Sequence, residues 1–250
     1  MQDFLMLFYV QELNMFKTND LCIIVPARSG SKGIPNKNIK VINGKSLLER
    51  TLESAVKLVR MEDVCLSSDS KEYYNHIKNV EKPIFLERSK NLSGDKSLAI
   101  EVWKNAIEFL NKDNNKYNFS LFLEPTSPIR NTSWIKEVFE KFKISRDDLW
   151  MSIKETDSKY RIEKQFEIKE NGEIKNQFQK NDIYSLRQNS KKTYHKDGVF
   201  YMARNDYILQ ASNLLEGKIK GIINNFISIN IDTYEDLDYA NYLTKKEITD

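Results

Sequence analysis

The sequence predicts an α/β fold: a doubly wound, mostly parallel sheet that carries a β-hairpin arm. Three observations predict it. Continuous apolar runs of strand length alternate with segments whose apolar residues recur at helical spacing, the pattern of parallel strands buried on both faces and joined by helices. That alternation holds to about Lys154. It then gives way to polar–apolar alternation around an Asn171-Gly172 turn, which reads as an antiparallel hairpin. The composition, 40% apolar and 30% charged over 250 residues, can fill the core of one large domain and excludes a disordered chain.

The elements follow in order. Leu21–Ala27 (LCIIVPA) is the first buried strand. Ser46–Val59 is a helix, with Leu47, Leu48, Leu52, Ala55, Val56 and Val59 at helical spacing. Val64–Ser67 is a strand ending at Asp69, Lys71–Asn79 a helix and Ile84–Leu86 a short strand. Leu98–Leu110 is an amphipathic helix through Val102, Trp103, Ala106 and Ile107. Phe119–Leu123 is a strand, Ser133–Phe142 a helix and Leu149–Ile153 a strand. The hairpin then pairs Phe166–Lys169 with Glu173–Phe178, as an arm inserted at about 155–190. Val199–Ala203, Ile219–Ile223 and Ser228–Ile231 are further strands. Thr233–Leu243 closes the chain as a helix with Thr233 as its N-cap and Asp236 three residues on.

Several classes are excluded. The net charge is +3, and the basic residues are scattered rather than run together, so no nucleic-acid partner is expected. Cys22 and Cys65 sit in strand-like runs and form no C-x-x-C pair. We read them as buried thiols of a reducing cytosol. Phe4–Val10 (FLMLFYV) is too short to span a bilayer, Asp3 stands where a secretory signal needs a base, and no A-x-A-like site follows. No membrane association is therefore expected, and the chain is read as cytoplasmic. Residues 1–19 are taken as an N-terminal extension. Residues 1–14 are an extra segment from an upstream start codon or, alternatively, a surface-docked flap. Residues 20–250 are a single domain with its arm.

In open parallel sheets, ligands bind outside the carboxyl ends of the strands. Polar and cationic groups recur at each predicted strand end: Arg28–Asn38, Ser67-Ser68-Asp69, Glu87-Arg88, Glu124–Arg130 and Lys154-Glu155. The Arg28–Asn38 loop is the strongest of these. Gly30 and Gly33 let backbone N–H groups approach oxygens closely, and Arg28, Lys32 and Lys37 supply positive charge. Such a loop suits a nucleoside triphosphate, whose charge must be neutralised before its phosphorus is attacked. It is neither G-x-x-x-x-G-K-[ST] nor G-x-G-x-x-G, which disfavours the P-loop and nicotinamide-dinucleotide classes.

The run IIVPARSGSKGIPNKNIKVINGKSLL (23–48) resembles the opening of the acylneuraminate cytidylyltransferases, or CMP-sialic acid synthetases, and of their relatives that activate legionaminic and pseudaminic acids. SSD at 67–69, EPTSPIR at 124–130 and INIDTYEDL at 229–237 agree in order and spacing, so the resemblance covers roughly 20–245. It implies a Rossmann-like nucleotidyltransferase fold with a dimerisation arm, hence a homodimer. It implies transfer of CMP from CTP to the anomeric hydroxyl of a nine-carbon 2-keto sugar acid, with release of pyrophosphate and with Mg²⁺ as cofactor, for cell-surface glycan synthesis. The alternatives are a degenerate CTP-binding homologue without turnover and an enzyme for the eight-carbon acid KDO.

By resemblance, Arg28, Ser31, Lys32, Lys37 and Asn38 form the triphosphate and cytidine loop, with Lys32 the candidate for stabilising charge at the α-phosphate. Asp69, Arg88 and Ser97 join the nucleotide site. For Arg88 a surface ion pair is the alternative. Glu124, Thr126, Ser127, Lys154, Arg187, Gln188 and His195 are candidates for the sugar acid. Glu124 stands where much of the family has Gln. An ionised Glu accepts hydrogen bonds but cannot donate them; the alternative is that it pairs with Arg130. His195 stands at an Arg of the family's F-R-P-N-G. The family's D-I-D-T metal motif is Asn230-Ile231-Asp232-Thr233 here, so Asp232 and Asn230 are the candidate Mg²⁺ ligands with one charge fewer. Asp232 as a mere helix cap is the alternative. Arg28, Lys32 and Asp232 are the expected catalytic groups.

Overall fold

The computed structural model describes residues 20–95, 97–112, 117–176 and 192–246. The FLMLFYV run, Arg187, Gln188 and the end of the expected hairpin strand at Phe178 lie outside them. In chain order the elements are β1 (Leu21–Pro26), β2 (Val41–Ile42), β3 (Lys45–Ser46), α1 (Leu47–Val56), β4 (Val64–Ser68), α2 (Lys71–His76), β5 (Ile84–Glu87), α3 (Ala99–Leu110), β6 (Phe119–Phe122), α4 (Thr132–Lys143) and β7 (Leu149–Glu155). Then come β8 (Phe166–Ile168), β9 (Ile174–Asn176), β10 (Tyr194–Arg204), α5 (Asn205–Gln210), β11 (Ile219–Ile223) and α6 (Tyr234–Lys246).

Among the described residues, seven strands make one sheet in the order β11-β7-β10-β6-β1-β4-β5. All neighbouring pairs are parallel except the two that β10 makes, with β6 and β7. The apolar runs are continuous because both faces are covered. Leu21, Ile23 and Val25 of β1 pack on one side with Leu48, Leu52 and Ala55 of α1 and Phe139 and Phe142 of α4. Cys22 and Ile24 pack on the other side with Trp103, Ala106 and Ile107 of α3 and Ile208 of α5. The expected doubly wound sheet is therefore the observed one. Burial pushes the thiol of Cys22 far up and that of Cys65 to about 12, so both stay protonated and unreactive at neutral pH.

Two sequence expectations are corrected. Ser228–Ile231 is not a strand; Ile231 N–H donates to the Thr126 carbonyl at 2.8 Å. Its polar groups are taken by side chains instead, Ser228 by Lys154 at 3.3 Å and Asp197 at 3.4 Å. The strand expected at Val199–Ala203 is longer and antiparallel. Its register shifts between Lys196 and Tyr201, where Gly198 takes φ 72°. The β2–β3 hairpin and α5 are too short for periodicity to detect. In the arm, β8 and β9 pair Phe166 with Asn176 and Ile168 with Ile174, around Gly172 at φ 83°.

Glu49 fastens α1 to the loop after α2. It completes a capping box with Ser46, and its Oε1 accepts from Lys78 N–H, Asn79 N–H and Asn79 Nδ2 at 3.1–3.2 Å. Burial alone would push the carboxyl up, but these hydrogen bonds together outweigh it and hold it below the usual range. A depressed carboxyl stabilises the fold above its unfolded pKa and loses that contribution as pH falls through its folded value. Glu49→Gln should thus cost about 1–2 kcal/mol at neutral pH. In urea unfolding, the gap between variant and wild type should close as pH falls below about 4.3.

Candidate active site

The carboxyl ends of β1 and β6 open into a cleft of about 570 Å³. One wall is the loop after β1, which presents Arg28, Ser31, Lys32, Gly33, Lys37 and Asn38. Its path is set by internal bonds. Asn38 Nδ2 donates to the Arg28 carbonyl at 2.9 Å, and Asp69 accepts from the Ser29 N–H and hydroxyl at 2.8 and 2.9 Å. Tyr73 OH donates to Asn36 Oδ1 at 3.2 Å, where Asn36 takes the left-handed φ of 53° that asparagine tolerates.

The C-terminal segment closes against this wall. Lys37 Nζ donates to the Ile231 carbonyl at 2.8 Å and to Asp232 Oδ1 at 2.9 Å. A Cβ on Gly33 would stand 2.8 Å from the Asp232 carbonyl oxygen, so the loop reaches this position only without a side chain there. Asp232 does not cap α6 with its carboxylate. Thr233 Oγ1 accepts from Asp236 N–H at 3.2 Å, while Asp236 accepts from the N–H groups of Asp232 and Thr233 at 3.0 and 2.9 Å. The Asp232 carboxylate instead takes Lys37 and lines the cleft.

Arg88, Asp95, Ser97, Glu124 and Thr126 also line the cleft. Arg88 is buried rather than in a surface ion pair. It donates through Nη2 to the Ser67 carbonyl at 2.7 Å and through Nε to Ser67 Oγ at 3.2 Å. Burial lowers its pKa to about 10, with Asp69 opposing, so it remains a cation at neutral pH. Burial raises the Glu124 carboxyl, while Arg130 and then Lys196 oppose the rise. Arg130 does not bond that carboxylate. Its guanidinium donates to the carbonyls of Val199 (2.8 Å) and Glu124 (2.5 Å) and to Thr51 Oγ1 (3.1 Å).

The structure does not bring every candidate to the cleft. Asp69 faces Ser29 and serves the loop from behind. Ser127 is fully buried and donates to the Asp197 carbonyl at 3.0 Å. Lys154 donates to the Phe226 carbonyl at 3.2 Å. His195 is exposed, pairs in register with Lys154 and meets Thr156 Oγ1 through Nδ1 at 3.2 Å. Asn230 is exposed and outside the lining. The reason is one of register. Lys154 and His195 pair with each other where β7 meets β10 and do not line the cleft, and without a strand at 228–231 Asn230 and Asp232 share no strand face. Conversely, Asp95 lines the cleft and was not among the expected groups. Its signal was the spacing of Arg88, Leu92 and Asp95, which resembles the family's R-P-x-x-L-A-x-D. Among the described residues, no three His, Cys, Asp or Glu side chains converge on a metal position. The cleft thus brings Arg28, Lys32, Lys37 and Arg88 together with Asp95, Glu124 and Asp232, a polar lining suited to a polyanion that carries a neutral or donor-rich partner.

Comparisons with known proteins give the family. Residues 22–248 match the sequence model of the family described as Cytidylyltransferase; the chain belongs to that family of nucleotide-transferring enzymes. It is similar to the pseudaminic acid cytidylyltransferase of Campylobacter jejuni, 33% identical over 90% of this chain and 96% of that one. It is also similar to the N-acylneuraminate cytidylyltransferase of Escherichia coli, 27% identical over 90% of this chain and 52% of that one. The CMP-N,N'-diacetyllegionaminic acid synthase of Legionella pneumophila is 26% identical over 89% and 94%. Among solved structures, a CMP:2-keto-3-deoxy-manno-octonic acid synthetase complexed with CTP superposes with TM-score 0.68 at 14% identity, covering 91% of this chain and 99% of that one; this is a likeness of fold.

The contact at Gly33 is testable. Gly33→Ala should push the loop off Asp232 and weaken CTP binding at least about tenfold, since roughly 1.4 kcal/mol suffices for that. Calorimetric titration of CTP, beside a thermal melt that shows the fold retained, checks it.

Proposed function

We propose that the chain transfers CMP from CTP to the anomeric hydroxyl of a nonulosonic acid and releases pyrophosphate. The observation that carries this reading is the Arg28–Asn38 loop, held against the C-terminal segment with its cations facing the cleft. The pseudaminic, N-acylneuraminate and legionaminic names of the similar proteins support the substrate class. In this mechanism, Arg28 and Lys32 neutralise the triphosphate, while Arg88, Asn38 and Ser97 border the nucleoside. The anomeric oxygen forms its bond to the α-phosphorus as the bond to the β-phosphate oxygen breaks. Glu124 and Thr126 lie where the acceptor would enter. Glu124 accepts a hydroxyl or amide hydrogen when ionised.

Mg²⁺ is the proposed cofactor. Such an ion takes one or two carboxylates and completes its shell with substrate phosphates and water. Asp232 fits that role, as a carboxylate on the cleft with its side chain 70% exposed. Asn230 does not line the cleft, so its part is the weaker. When bound, the ion would draw charge from the phosphate oxygens. The reading further places the enzyme in the cytoplasm; among the described residues no helix is long and apolar enough to cross a membrane.

The test is pyrophosphate release from CTP against a panel of sialic, legionaminic, pseudaminic, deaminated nine-carbon and KDO acids. Release with at least one nine-carbon acid is expected. CTP binding without release from any acid would instead support a degenerate nucleotide-binding homologue, and KDO as the one productive acid would move the chain to that class. In the active combination, Lys32→Ala should lower kcat at least about tenfold. The expected loss lies toward the low side of the 10²–10³ typical of one preorganised donor, because the Lys32 side chain is 77% exposed and partly screened.

A homodimer belongs to the same proposal. The arm exposes Phe166 at 47%, Ile168 at 73% and Ile174 at 65%, and a two-stranded hairpin is marginal in water by itself. A second copy covering it would remove this apolar surface from solvent. Light scattering at micromolar concentration should give twice the chain mass, and Ile168→Lys with Ile174→Lys should shift it to the monomer.

A further inference from the structure

The cations of the cleft all have internal acceptors, but not on equal terms. Arg88 is buried against Ser67, and Lys37, 13% exposed in its side chain, is held by Ile231 and Asp232. These two are fixtures of the fold. Arg28 and Lys32 are instead held by one side chain. Asp95 Oδ1 accepts from Arg28 Nη1 at 3.1 Å, and Asp95 Oδ2 lies 2.7 Å from Lys32 Nζ. Hydrogen bonds from Lys32 and then Arg28 hold the Asp95 carboxyl below the usual range. Asp95 lies on the short loop between the turn at Lys90–Leu92 and α3, follows Gly94, and lines the cleft. Its side chain is 49% exposed. The bridge is thus open to solvent, and ion pairs of that kind exchange at little cost.

Two carboxylate oxygens, each on one of two cations, are arranged as two phosphate oxygens would be. We propose that Asp95 is an internal counter-ion: the triphosphate displaces it from Arg28 and Lys32, and it returns to those cations as pyrophosphate leaves. The role rests on the reading of Arg28 and Lys32 as triphosphate ligands. It makes the two cations bind their anion less tightly than they otherwise could. That weakening is useful at the end of the cycle, because a site that holds pyrophosphate too tightly turns over slowly. Asp95 also keeps Arg28 and Lys32 together in the empty cleft, so the anion meets a pair already placed.

This differs in sign from a supporting role. Loss of a mere support loosens the site and weakens anion binding, whereas loss of a competing counter-ion strengthens it. The experiment is calorimetric titration of inorganic pyrophosphate, and separately of CTP, into wild type, Asp95→Asn and Asp95→Ser. Asn keeps the size and removes the charge; Ser removes the reach as well. Both variants should bind pyrophosphate about fivefold more tightly, the order of what release from two exposed ion pairs provides. Asp95→Glu should remain near wild type. In turnover, product inhibition by pyrophosphate should strengthen by the same factor in the Asn and Ser variants. If wild type binds both anions and neither variant gains, with thermal melts unchanged, the counter-ion role is overturned and the reading of the cleft stands. If wild type binds neither anion, that reading falls and the counter-ion role with it.

Discussion

Lys37 joins two parts of the chain that lie 194 and 195 residues apart, through the Ile231 carbonyl and the Asp232 carboxylate. Its ammonium is largely buried, and a buried cation is tolerable only when paired and hydrogen-bonded. The C-terminal segment must therefore come to the loop after β1, and Gly33 lets it come close enough for backbone contact. Beneath this closure, Ile34, Ile42, Leu47, Ile231 and Ala240 form a small apolar cluster of their own. Ile231 also bonds back to Thr126. The ends of β1 and β6 and the start of α6 thus converge on one place, and the cleft is the space left between them.

The far wall depends on a different buried charge. Asp197 is 4% exposed, and its carboxylate accepts from Ser152 Oγ, the Val199 N–H at 3.2 Å, Asn224 Nδ2 at 2.6 Å and Ser228 Oγ at 3.4 Å. These donors come from β7, β10 and the segment after β11, so one carboxylate ties together three stretches that periodicity would treat separately. Gly198 is needed beside it, since a Cβ there would meet Ser127 Oγ at 2.5 Å and Glu124 Oε2 at 3.2 Å. The antiparallel strand can therefore pass directly over the Glu124 end of β6. That passage leaves Glu124 without a close ionic partner among the described residues while Arg130 braces the backbone around it.

The apolar runs of β1, β4 and β6 and the helical spacing of α1, α3 and α4 were legible because each follows from local geometry: a strand buried on both faces must be apolar throughout, and a helix on a sheet needs one apolar stripe. The loop after β1 was legible for the same reason, since its glycines and cations are contiguous. The N-cap of α6 was also readable, because Thr233 and Asp236 are three residues apart. Less could be read where a role depends on what a distant segment does. Lys154 and His195 sit at strand ends in the sequence, yet neither lines the cleft. Asp69 follows β4 as a site residue would, yet Ser29 takes its carboxylate.

The sequence by itself determined the doubly wound sheet, the glycine- and cation-bearing loop after β1 and the family, since all three are written in short contiguous stretches whose physics is local. Only the tertiary structure decided that β10 runs antiparallel between β6 and β7, that Asn230 stands outside the cleft, and that Asp95 bridges Arg28 and Lys32. Each of these depends on where residues far apart in the chain come to lie. It is set by which buried charges must find partners and where a missing side chain lets two backbones approach, and no local periodicity records either.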